Sequence, residues 1–188
     1  MAWTTPRTWV TSELVTASVM NTHVRDNLNH LKDDLDLDHV VRRSTNTTTV
    51  GNVGTGEDDL MTYTLPGATL GTDGQGIRIT CGGRFRDIAE ARTLKLKFGA
   101  TVIFQLGLTD PGASYSWRVV AEVVRTGATA QISFATFVGS QALNNAGDES
   151  SYRATPAETL SGDVVVKMTG ESASSDNIQQ DLMIVELF

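Results

Sequence analysis

The spacing of hydrophobic positions changes once along this chain. Between residues 16 and 37, Val24, Leu28, Leu31 and Leu35 are spaced four, three and four apart, which puts all four on one stripe of a helix. Arg25, Asn29, Lys32 and Asp36 take the opposite face. Thr16 stands where an N-cap belongs, its hydroxyl placed to accept an orphan amide hydrogen of the first turn. Residues 1–12, rich in Thr, Trp and Pro, carry no helical period and read as an extended arm.

From about residue 59 the period becomes two. Leu94, Leu96 and Phe98 alternate with Lys95 and Lys97, the signature of a strand with one buried face. Gly99-Ala100 then fits a two-residue type II′ hairpin turn leading into Thr101–Leu106. The same grammar recurs at Trp117–Arg125 and Ala130–Val138. Further strands fit Leu60–Leu65, Gly76–Phe85, Val164–Gly170 and Ile178–Leu187. The expectation is a mainly β protein: an eight-stranded antiparallel jelly-roll sandwich preceded by one N-terminal α-helix. Its parts would be an arm and helix over 1–43, a linker over 44–58 and a jelly-roll head over 59–188.

The last strand carries apolar residues on both alternating faces, with Ile184 on one side and Val185 and Leu187 on the other. A strand apolar on both sides must be covered on both. The fold interior covers one face, and a neighbouring subunit or a thick single-chain core covers the other. Two heptads of helix are too short to associate alone, but a head that trimerises would hold three such helices at high effective concentration. The alternative is a helix docked on its own domain. The trimer interface expected on this basis comprises Val24, Leu28, Leu31, Leu35 and one face of the strand bearing Ile184, Val185 and Leu187.

Charge narrows the partners. Fifteen basic residues against 22 acidic ones give a formal net charge of −7, which disfavours nucleic acid, since phosphate binding needs clustered Lys and Arg. No apolar run approaches the roughly 20 residues that span a bilayer, so membrane insertion is not expected. The first residues lack the apolar stretch of a signal peptide. Cys81 is the single cysteine, which leaves no intrachain disulfide and no multi-cysteine metal site. A soluble protein made in a reducing cytoplasm is expected.

The chemistry-bearing residues form no catalytic constellation. His23 and His30 lie seven apart on roughly one helical face, and His39 follows. Two histidines without a third ligand seldom make a metal site, although rings of them in a trimer would catch an adventitious ion. Asp33, Asp34, Asp36 and Asp38 cluster at the helix end without the glycine of a calcium loop. Gly71–Gly76 lacks the Lys-Ser/Thr ending of a phosphate loop. A polysaccharide hydrolase needs paired acids in a groove, and nothing in the sequence pairs any two. No enzyme, cofactor or metal is expected. The stretch 144–151, with Asn144, Asn145, Asp148 and Glu149, reads as an exposed loop suited to contact with a host or partner molecule.

Two stretches resemble known proteins. Pro6-Arg-Thr-Trp-Val10, Glu13-Leu-Val-Thr16 and Asn21-Thr-His-Val-Arg-Asp-Asn-Leu28 resemble an N-terminal segment of structural proteins of tailed phages. Tyr63-Thr-Leu-Pro66, Leu70–Gly76, Trp117–Arg125 and Thr159-Leu-Ser-Gly162 resemble the trimeric jelly-roll heads of phage fibres and capsid decorations, similar in style to the tumour-necrosis-factor and C1q folds. Val19 departs from the pattern, since an acidic residue there would complete a capping box with Thr16. The resemblance implies a homotrimeric virion protein made in the bacterial host cytoplasm. Its arm would dock on other virion proteins through Trp3, Trp9 and Val10, unless those tryptophans pack on their own domain. Two roles follow from it: a tail-associated fibre whose head binds a host glycan or protein, or a decoration protein that clamps the capsid.

Overall fold

The computed structural model describes residues 8, 10–29, 41–108, 114–139 and 149–188. The chain divides into two compact units, the second spanning residues 42–187.

Within the N-terminal unit, Thr16 caps a helix as expected: its Oγ1 accepts the Val19 amide at 3.3 Å. The helix runs as an α-turn over Ala17–Met20, then as a π-helical segment over Asn21–Arg25, and stays helical through 26–29. The wider π winding keeps Met20, Val24 and Leu28, each four apart, on one face. Leu31 and Leu35 lie outside the described residues.

In the second unit the strands are β1 (Val41–Asn46), β2 (Val50–Gly51), β3 (Glu57–Leu65), β4 (Gly76–Phe85), β5 (Arg92–Phe98), β6 (Thr101–Leu108), β7 (Tyr115–Gly127), β8 (Ala130–Gly139), β9 (Glu149–Ala154), β10 (Val164–Ser172) and β11 (Ile178–Leu187). They form two sheets. The larger runs β1-β11-β4-β7-β8-β9, with β2 also paired to β11, and the smaller runs β3-β10-β5-β6. Setting aside β2 and the β8–β9 pair leaves eight strands, which fall in chain order as 1-8-3-6 in one sheet and 2-7-4-5 in the other. That interleaving is a jelly roll, and the fold is a mainly β antiparallel sandwich.

Three of these strands go beyond the eight read from the sequence. β1 and β2 fall in and just before the stretch expected as a linker, and β9 begins within the stretch expected as a loop. All three are short, and none shows hydrophobic alternation. Strands at or near a sheet margin have fewer neighbours to cover them, so they form by backbone pairing and need no hydrophobic alternation. The β1–β2 region is tied in firmly. Fully buried Asn52 accepts the Ile178 amide at 2.9 Å and donates to the Ser174 carbonyl at 3.0 Å.

The core lies between the sheets. On the large sheet, the cross-strand row Val185–Ile79–Ala121–Ala135 is buried, and so is the row Met183–Cys81–Val119–Phe137. They meet Leu94, Leu96 and Phe98 of β5 and Val166 and Met168 of β10 in one cluster. Phe104 stacks on Phe137 at 6.0 Å, joining β6 to β8 on the side where β6 also lies against β9. Gly99 has φ +59°, as the first central position of a type II′ turn requires. A Cβ there would also collide with the Glu158 carboxylate, which accepts the Ala100 amide at 2.7 Å. At Gly83 a Cβ would strike the Gln179 carbonyl at 2.0 Å, beside the irregularity where β11 shifts register between Gln180 and Leu182.

Candidate interaction surface

The two outward faces of the sandwich are chemically opposite. On the small sheet, Lys167 lies opposite Lys97 across the β10–β5 pair. Like charges in that position repel, and acidic residues resolve the conflict. Glu57 bonds Lys95 at 2.5 Å and also bonds Lys97, while Asp59 bonds Lys167 at 2.8 Å. The two lysines hold the Glu57 carboxyl well below the usual range, at about 2. This face satisfies its own charges and suits water.

The outward face of the large sheet is built differently. Its cross-strand rows read Leu182–Gly82–Arg118–Val138, then Ile184–Thr80–Val120–Thr136, then Glu186–Arg78–Glu122–Phe134. Val124 and Ile132 pair beyond them. Phe134 is 54% exposed and Val138 44%, while Ile184, Leu182 and Val120 are half-buried. Charge enters as the Arg78–Glu122 pair at 2.8 Å, the Arg84–Asp181 pair at 3.0 Å and the exposed Arg118. Leu182 and Ile184 of β11 lie on one side of β4, whose outward positions are Arg78, Thr80 and Gly82, and Val120, Phe134 and Val138 lie on the other side, on β7 and β8. Apolar side chains gathered on one face mark interaction sites.

The last strand is now resolved by face. Val185 is fully buried in the core, whereas Ile184 points outward onto the apolar patch and Leu187 packs at the core margin. Of the interface residues expected there, Ile184 alone belongs to the outward set. Val185 and Leu187 share the inward side because side chains two apart face the same way. The outward residues missed in the sequence are Val120, Leu182 and Val138. Their signal was the doubled valines Val119-Val120 and Val123-Val124, which make β7 apolar on both sides just as β11 is.

In the N-terminal unit Val10 is 67% exposed, Val24 37% and Leu28 59%. Trp3 and Trp9 lie outside the described residues, as do Asn144, Asn145 and Asp148, while Glu149 begins β9. Burial pushes the Cys81 thiol up to about 12, so it carries no thiolate at neutral pH. Among the described residues no three His, Cys, Asp or Glu side chains cluster as a metal site would require. No described helix is long and apolar enough to cross a membrane.

No protein-family model and no curated protein sequence matches the chain. Among solved structures the chain is similar to the CBM2 module of the evolved Dit protein of Lactobacillus casei BL23 phage J-1, at 11% identity and a TM-score of 0.41, over 78% of this chain and 95% of that one. The jelly-roll assignment rests on the strand order alone.

Proposed function

We propose that this protein is a non-enzymatic structural component of a tailed-phage virion: a trimeric, tail-associated head anchored through its N-terminal arm. The contrast between the two outward faces carries the proposal of self-association. One face neutralises its own charges, and the other leaves Phe134 and Val138 exposed and Ile184, Leu182 and Val120 half-buried in the single chain. A second copy is the occupant most consistent with a homo-oligomeric virion module. The phage assignment is supported by the resemblance of Pro6–Leu28 to virion attachment segments, and by a jelly-roll head of the kind that resemblance implies. The exposed Val10, Val24 and Leu28 suit an arm that binds elsewhere in the particle. In this reading the arm meets other virion proteins, and the head meets a glycan or protein of the host surface.

Purified virions provide the test. Antibody against the head should label the tail tip, and quantified gels should show few copies per particle. Hundreds of copies spread over the capsid would instead assign the decoration role, and absence from virions would overturn the proposal.

A further inference from the structure

An open cleft of about 330 Å³ lies away from the apolar face, lined by Thr55, Glu90, Ala91, Thr93, Glu171 and Ser172 together with Ala173. It sits where the β4–β5 connection, the start of β5, the end of β10 and the turn before β3 meet. Its volume is at the low end of the range of about 300–1,000 Å³ for small-molecule sites.

The wall is pre-organised. Buried Arg92 stacks over Phe85 at 5.5 Å and donates to the Ile88 carbonyl at 2.6 Å and to the Arg86 carbonyl, which fixes the connection that carries Glu90. Glu90 then accepts four hydrogen bonds. Oε1 takes the Ser174 hydroxyl at 2.7 Å; Oε2 takes the Ser174 amide at 2.9 Å, the Ser172 hydroxyl at 3.2 Å and the Asn177 amide at 3.3 Å. These donors, Ser174 foremost, hold its carboxyl below the usual range, so it stays ionised. Oε1 keeps a lone pair uncommitted by these bonds. Behind Glu90 and Ser172, the Oδ1 of wholly buried Asn177 finds no protein donor.

Three further groups add recognition chemistry. Thr93 and Glu171 are cross-strand partners, so their side chains stand together on one face, and Thr55 also lines the cleft. Two carboxylate acceptors, two threonine hydroxyls and the methyl groups of Ala91 and Ala173 match a ring that carries hydroxyl donors around an apolar C–H surface. Among the described residues no basic side chain lines the cleft, so an acidic ligand would meet uncompensated repulsion.

We infer that this cleft binds one pyranose unit, neutral or amino-bearing, and rejects acidic sugars. The inference deepens the reading of the head as a host-facing module, by naming a site and a ligand class.

Two-dimensional NMR of the full chain, titrated separately with glucose, glucosamine and glucuronate, tests it. Amides of Glu90–Thr93 and Glu171–Ala173 should shift with glucose and glucosamine, with glucosamine the tighter, and should not move with glucuronate. The double variant Thr93→Val/Glu171→Gln removes a hydroxyl and a charge from side chains on the outward face without changing their size. It should keep the native spectrum elsewhere and weaken binding about tenfold or more. Overturning results are no shift with any sugar, equal response to glucuronate, or unaltered binding by the folded variant. Sugar binding is measured on the isolated protein, so its failure is separable from absence of the protein from virions.

Discussion

Ile184 and Val185 are adjacent, yet a charge should affect them in different ways. Val185 lies between the sheets with no exposure, and an unpaired carboxylate there has neither water nor a partner. Val185→Asp should cost more than about 4 kcal/mol and abolish cooperative thermal unfolding. Ile184→Asp puts the charge on the outward patch, where water still reaches the single chain. It should cost about 1 kcal/mol, retain β circular dichroism and yield a monomer. A stable trimer in Ile184→Asp would remove this patch from the interface. A second residue-scale effect concerns Glu57, whose carboxyl is depressed from 4.5 to about 2 by Lys95 and Lys97. A depressed carboxylate contributes stability above its unfolded value, and that contribution fades as pH falls from 4.5 toward about 2. Glu57→Gln should therefore destabilise by about 1 kcal/mol at pH 7, with the difference from the natural protein vanishing as pH falls below about 2. Chemical denaturation at several pH values measures both.

Strands of the interior and strands of the margin obey different rules. β5, β7 and β11 show their inward sets in the spacing of Leu94, Leu96 and Phe98, of Val119 and Val123, and of Met183 and Val185, because burial selects apolar residues at period two. β1 has the sequence Val-Arg-Arg-Ser-Thr-Asn and β9 the sequence Glu-Ser-Ser-Tyr-Arg-Ala. Neither alternates, and their existence depends on open hydrogen bonds along β11 and β8. For β1 and β2 this gives a direct test. A chain starting at residue 41 keeps the whole second unit and should melt like the full protein. Starting at residue 52 removes both strands, uncovers one edge of β11 and should cost about 2–4 kcal/mol. Equal melting temperatures for the two would mean that β1 and β2 contribute nothing to the fold. The turn at Gly99 shows the same dependence: its two-residue length was readable, but the demand that Glu158 places on it comes from 59 positions downstream.

For the whole molecule, the two faces predict how copies assemble. Sedimentation equilibrium should give three times the 20.2 kDa chain mass. Because the apolar side chains of the proposed interface carry its association and its Arg78–Glu122 pair lies within one chain, the trimer should persist in 1 M salt. A monomer at micromolar concentration would sink the assignment, and dissociation by salt would move the interface to a charged surface. The sequence by itself determined the β class, the strands β3–β8, β10 and β11, the N-cap at Thr16 and the need to cover β11 on both sides, because each is written in local spacing and turn chemistry. Which side of β11 faces inward, that short segments without hydrophobic alternation complete the large sheet, and that Glu90, Thr93 and Glu171 share one cleft were decided by tertiary structure alone. Register and sheet order join residues scores of positions apart, and local spacing holds no record of that pairing.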